Sequence, residues 1–72
     1  MKTNILIFRT SIVDKQDIKR IEKLFAKYIQ INQWNVDLED WEKVLRIECE
    51  ELTAYDIIEK LKTIQIDASE LL

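Results

Sequence analysis

The sequence contains no histidine, no glycine and no proline, and its only cysteine is Cys49. Each absence removes a class of chemistry. Without histidine the usual general base is missing, together with the commonest borderline metal ligand. Without glycine the phosphate-cradling loops of nucleotide sites cannot be built. A lone cysteine excludes an intramolecular disulfide and suits a reducing compartment. No nucleophile stands with a base to activate it, so the expectation is a protein that is not an enzyme and uses no cofactor. No apolar run approaches the roughly 18 residues of a membrane span, and the first residues lack a signal-peptide pattern. A cytoplasmic protein with no membrane contact is expected.

Seventy-two residues make one domain, 1–72, small enough to bury only roughly 60–65% of its unfolded surface. Apolar residues make up 47% of the chain, too many for disorder. The net charge of −3 hides an asymmetry. Residues 1–36 hold seven Lys/Arg against three Asp/Glu, giving +4, and residues 37–72 hold four against eleven, giving −7. An acidic chain of this kind is a poor nucleic-acid binder, so no nucleic-acid partner is expected, but its basic half suits an acidic protein.

The apolar pattern changes period along the chain. Asn4–Thr10 (NILIFRT) is short and rich in β-formers, with Leu6 and Phe8 on one face and Ile5 and Ile7 on the other. Ile18, Ile21, Leu24, Phe25 and Tyr28 then recur at helical spacing, which predicts an amphipathic helix over 15–29. INQWNVDLE alternates, with Trp34, Val36 and Leu38 on one side, and VLRIECE repeats the pattern with Leu45, Ile47 and Cys49 inward. The short link EDWEK predicts an antiparallel hairpin, although its turn lacks Asn-Gly or Asp-Gly. Thr53-x-x-Asp56 resembles a capping box ahead of a second apolar stripe at Ile57, Ile58, Leu61 and Ile64. Ile66 and Ala68 suggest a short last strand. The order βαββαβ predicts an α+β ferredoxin-like sandwich: an antiparallel four-stranded sheet with two helices on one face. The expected core is Leu6, Phe8, Ile21, Leu24, Phe25, Trp34, Val36, Leu45, Ile47, Ile57, Ile58 and Leu61.

Three stretches together are similar to the heavy-metal-associated domain family, the fold of small copper chaperones. They are FRTSIVDKQDIKRI, the paired INQWNVDLED and KVLRIECEEL, and TAYDIIEKLKTIQIDASELL. The family holds copper(I) with a Cys-x-x-Cys pair between its first strand and first helix, and that resemblance sets Asp14 and Asp17 at the cysteine positions. Carboxylates are hard donors and match copper(I) poorly. The resemblance therefore implies a degenerate metal site on an interaction module. The alternative is a metal-binding or metallochaperone-type protein that uses Asp14 and Asp17 or ligands shared between chains.

The residues themselves offer a competing role for the two aspartates. Asp14 at a helix N-cap can accept backbone N–H groups, and Asp17 in the first turn faces the positive end of the helix dipole. Two carboxylates alone make a weak divalent site, because magnesium and calcium want about six or more oxygens. Cys49, inward on a strand, reads as a small hydrophobe. Lys15, Lys19, Lys23 and Lys27 recur every four residues as a slowly spiralling stripe, either a solvated helix face or a docking surface for an acidic partner. In the resembled family, charged residues near the metal loop help a chaperone dock, which adds weight to the second reading. Trp41, in the polar turn, either packs over the hairpin or contacts a partner, since tryptophan is enriched at binding hot spots. Ile5 and Ile7, with Val44 pointing the same way, lie on a sheet face that the helices leave uncovered. Weak homodimerisation through this open face, or a partner there, is the remaining expectation.

Overall fold

The computed structural model describes residues 3–71. Six elements follow one another: β1 (Asn4–Thr10), α1 (Lys15–Phe25), β2 (Ile31–Asp37), β3 (Val44–Cys49), α2 (Ala54–Lys62) and β4 (Ala68–Glu70). The strands form one sheet in the order β2-β3-β1-β4, with every neighbouring pair antiparallel. This is the expected ferredoxin-like sandwich.

The register follows from the alternation of apolar residues. Leu6 pairs with Ile47 and Phe8 with Leu45 across β1 and β3. Trp34 pairs with Ile47 and Val36 with Leu45 across β2 and β3. A slip of one residue would turn this whole set to solvent, so the register is strongly specified. Phe8, Leu45, Ile47 and Cys49 meet Ile21, Leu24 and Phe25 of α1 and Ile57 and Leu61 of α2 in one buried cluster. Each fully buried Leu, Ile or Phe side chain contributes about 1.5–3 kcal/mol.

The core differs from the expected set at its margins. Leu6, Trp34, Val36 and Ile58 are half-buried and pack against the cluster instead of lying within it. Strand β2 is at the edge of the sheet, so its inward side chains have a neighbouring strand on one side only. Ile12, Leu52 and Ile66, outside any strand or helix, close the core at the ends of the sheet.

Two boundaries also move. Helix α1 ends at Phe25, short of the expected residue 29. Lys27 and Tyr28 bond back three residues, to the carbonyls of Leu24 and Phe25, at 3.2 and 3.0 Å. That tighter turn still brings Tyr28 onto the core, with Lys60 Nζ 4.4 Å from its ring centroid. An unbroken helical period in the side chains therefore survives a backbone that has stopped being helical. The last strand is Ala68–Glu70, and Ile66 lies before it. Ile66 N–H bonds Leu61 O at 3.0 Å and Gln65 N–H bonds Lys62 O at 2.9 Å. These are the two bonds of a Schellman closure, in which the apolar residue after the left-handed one packs back on the helix. Because the chain has no glycine, the left-handed position falls to Gln65, with φ 63°.

Candidate functional site

The loop from β1 to α1 is fixed on both flanks. Thr10 N–H donates to Glu42 O at 3.1 Å, and Thr10 Oγ1 donates to Lys43 O at 2.7 Å, which ties the loop to the β2–β3 hairpin. Ser11 N–H donates to Asp67 O at 3.0 Å, and Asp67 N–H donates to Ser11 Oγ at 2.9 Å, which ties it to the segment before β4. Ile12 turns into the core and leaves Val13 75% exposed.

Asp14 is the N-cap of α1. Its Oδ1 accepts the N–H groups of Gln16 at 3.0 Å and Asp17 at 3.4 Å. Asp17 reaches back, its Oδ2 accepting Val13 N–H at 2.9 Å, while its Oδ1 lies 3.1 Å from Arg20 Nη1. Both carboxylates are thus engaged with donors at the start of α1. The Arg20 guanidinium also donates to Ile64 O, so a fixed positive charge stands beside Asp17 where a cation would have to sit. Among the described residues no three His, Cys, Asp or Glu side chains converge as a metal cage.

Lys15, Lys19, Lys23 and Lys27 are all exposed, and none forms an ion pair with a described residue. Lys15, Lys19 and Lys23 stand on α1, while Lys27 stands in the turn beyond it. Lys23 and Lys27 border a groove whose floor includes Leu24 and Ile64. Arg20, which the lysine spacing does not pick out, lines the same groove.

Trp41 is 86% exposed at the tip of the hairpin and does not pack over it. The turn that carries it is built without glycine. Asp37 Oδ1 accepts Glu39 N–H at 3.0 Å, and Asp40 Oδ1 accepts Glu42 N–H at 2.7 Å. Such aspartate turns mimic a backbone turn. Lys43 takes the left-handed position, φ 48°, and its Nζ donates to Leu38 O at 2.9 Å. Glu42 is held by Arg9 at 2.9 Å. The indole points to solvent. Trp41 and Val13 therefore lie exposed at the same end of the sheet, the end where α1 begins.

The opposite sheet face carries Ile5 and Ile7 as alternation requires. Ile5 is 50% exposed and pairs with Glu48, and Ile7 pairs with Arg46. Val44 points the same way but pairs with Asp37, diagonal to Ile7. Leu71, whose N–H donates to Ile7 O at 2.8 Å, extends the apolar group on the other side. Cys49 is fully buried, its thiol donating to Leu52 O at 3.9 Å, and burial pushes that thiol's pKa up. It is neither a nucleophile nor an accessible ligand.

Fold and site together define a small α+β sandwich whose β1–α1 loop is capped by carboxylates and flanked by a basic helix. The chain is similar to the apo form of the HMA domain of the copper chaperone for superoxide dismutase, with a TM-score of 0.82 at 13% sequence identity. The match covers 99% of this chain and 69% of that one. At that identity the likeness is one of fold. No protein-family model matches the chain, and no curated protein matches it. Among the described residues no helix is long and apolar enough to cross a membrane.

Proposed function

We propose that the protein is a non-catalytic interaction module, a heavy-metal-associated-like domain without a thiolate metal site, which docks on an acidic protein. The observation that carries this reading is the set of four exposed lysines, Lys15, Lys19, Lys23 and Lys27, none paired with a described residue. A positive surface of this kind steers an acidic partner and sets orientation more than it adds affinity. The apolar anchor such a contact needs is supplied by Trp41, exposed at the same end as Lys15. The single cysteine, buried and distant in sequence from Asp14 and Asp17, offers no thiolate pair for copper(I).

The alternative is metal handling by Asp14 and Asp17, alone or with ligands from a second chain. Asp14 caps through Oδ1 alone and would offer Oδ2, whereas Asp17, with Oδ2 on Val13 N–H and Oδ1 on Arg20, would have to take a cation beside the Arg20 charge.

Affinity capture from cells that make the protein tests the reading. The wild type is compared with a variant carrying glutamate at positions 15, 19, 23 and 27, and with Trp41→Ala. An acidic protein held by the wild type at low salt and lost with both variants is the expected result. Equal capture by all three defeats the proposal, and stoichiometric metal in the purified wild type favours the alternative.

A further inference from the structure

We propose that two copies of this chain associate through the far edge of β2, antiparallel to each other, so that two four-stranded sheets become one continuous sheet. Strand β2 is outermost in the sheet order, and among the described residues β3 is its only neighbouring strand. In an antiparallel strand, alternate residues turn their N–H and C=O groups away from the neighbour, so the far side of β2 is a row of groups offered for pairing. Natural edge strands are blunted by charges, proline or bulges. The bulge of β2 lies between Ile31 and Gln33, at its beginning, and leaves Gln33–Asp37 regularly paired.

The occupant follows from the charge pattern. Tyr28 to Val36 is the longest uncharged stretch of a chain in which 35% of residues are charged. Pairing a strand with its own copy sets residues near its centre against themselves, and like charges directly opposite are destabilising. A strand uncharged up to its last residue escapes that penalty. With the two-fold axis at Asn35, all five regular residues are used. Asn35 faces Asn35, Trp34 faces Val36 of the other copy, and Asp37 faces Gln33, so no like charges stand directly opposite within the pairing. Trp34 with Val36 is a favourable aromatic with β-branched cross-strand pair. It forms on the helix side, beside a groove lined by Phe25, Ala26 and Trp34 itself, with Glu22 of α1 also lining it. The opposite edge, β4, offers only three residues and carries Glu70 within them. On the uncovered sheet face, Ile5 and Ile7 sit beside Glu48 and Arg46, so a second copy there would have to desolvate charged side chains.

One strand pairing buries less than about 1,000 Å², the range of weak association, so the dissociation constant should fall between about 1 μM and about 1 mM. Sedimentation equilibrium across that range is the test, on the wild type, Asn35→Lys, Asn35→Glu and the Ile5→Lys plus Ile7→Lys pair. Asn35 is exposed, so its variants keep the fold, which circular dichroism checks. We expect the wild type to dimerise, each Asn35 variant alone to weaken dimerisation by about tenfold or more, and an equimolar mixture of the two to recover it. Amide shifts that move on dilution should be confined to β2 and its approach. A wild type that stays monomeric overturns the proposal. So does Asn35→Lys associating like the wild type, or a mixture no tighter than its components. Loss of dimer in the isoleucine variant alone would move the contact to the uncovered sheet face, and is equally a refutation.

Discussion

Asp14 and Asp17 close one helix end from opposite directions. Asp14 accepts the Asp17 N–H at 3.4 Å, and Asp17 accepts the Val13 N–H at 2.9 Å. The exchange resembles a capping box shifted one residue outward, since the returning bond goes to the residue before the N-cap. It gives both carboxylates structural work at the N-terminus of α1.

Asp14→Ala should lower stability by about 0.5–2 kcal/mol, the usual cost of losing an N-cap. Asp14→Asn should retain most of it, because the amide oxygen still accepts. The denaturant midpoint measures both. If magnesium or calcium raises the melting temperature of the wild type but not of Asp14→Ala, the carboxylates hold a cation and the cap is not their main role.

Copper(I) affinity should be poor in the wild type and gained in the Asp14→Cys plus Asp17→Cys double variant. Thiolates are the soft donors this ion selects, and the loop that would carry them is pinned on both flanks. Competition against a copper(I) chelator reads the difference. The same variant should be less stable without metal, because it gives up both ends of the cap exchange.

Gln65→Gly should stabilise the protein by about 0.5–1 kcal/mol. A residue with a Cβ carries a left-handed penalty that glycine escapes, and Gln65 is exposed with φ 63°. Lys43→Gly should give less or nothing, since Lys43 Nζ donates to Leu38 O and Asp40 O, and those bonds would be lost. Parallel denaturation of the two variants checks the contrast.

Asp56 predicts a pH dependence. Its carboxylate accepts the Thr53 N–H at 2.9 Å, and this bond, then the Thr53 hydroxyl, then the charge of Lys60 hold its pKa below the usual aspartate range. A folded pKa below the unfolded one means that the unfolded chain binds more protons as the solution is acidified. The contribution is therefore complete above the ordinary value of about 3.9 and is lost as pH falls through the lower folded value. The stability difference between wild type and Asp56→Asn should be constant near neutral pH and shrink only below about pH 4. A difference that persists unchanged in acid would show that the charge of Asp56 contributes nothing.

The sequence by itself determined the features that depend on near neighbours. The two-residue alternation of INQWNV and VLRIEC set which side chains face the helices, and Asp14 with Asp17, like Thr53 with Asp56, marked the helix starts within four residues. Both follow from backbone geometry that repeats over one turn or one pleat. Tertiary structure decided what depends on distant segments. Nothing local to Ile31–Asp37 says that it is an edge strand, nothing local to Ile66 says that it is buried, and EDWEK does not announce that Trp41 points to solvent. Those outcomes depend on which strands stand beside which. That order is fixed by the packing of β1 between β3 and β4, whose paired residues lie 37 to 62 positions apart in the chain. The lysine spacing was visible in the sequence, but the end of α1 at Phe25 was not, because a tight turn carries Tyr28 back to the core on the same apparent period.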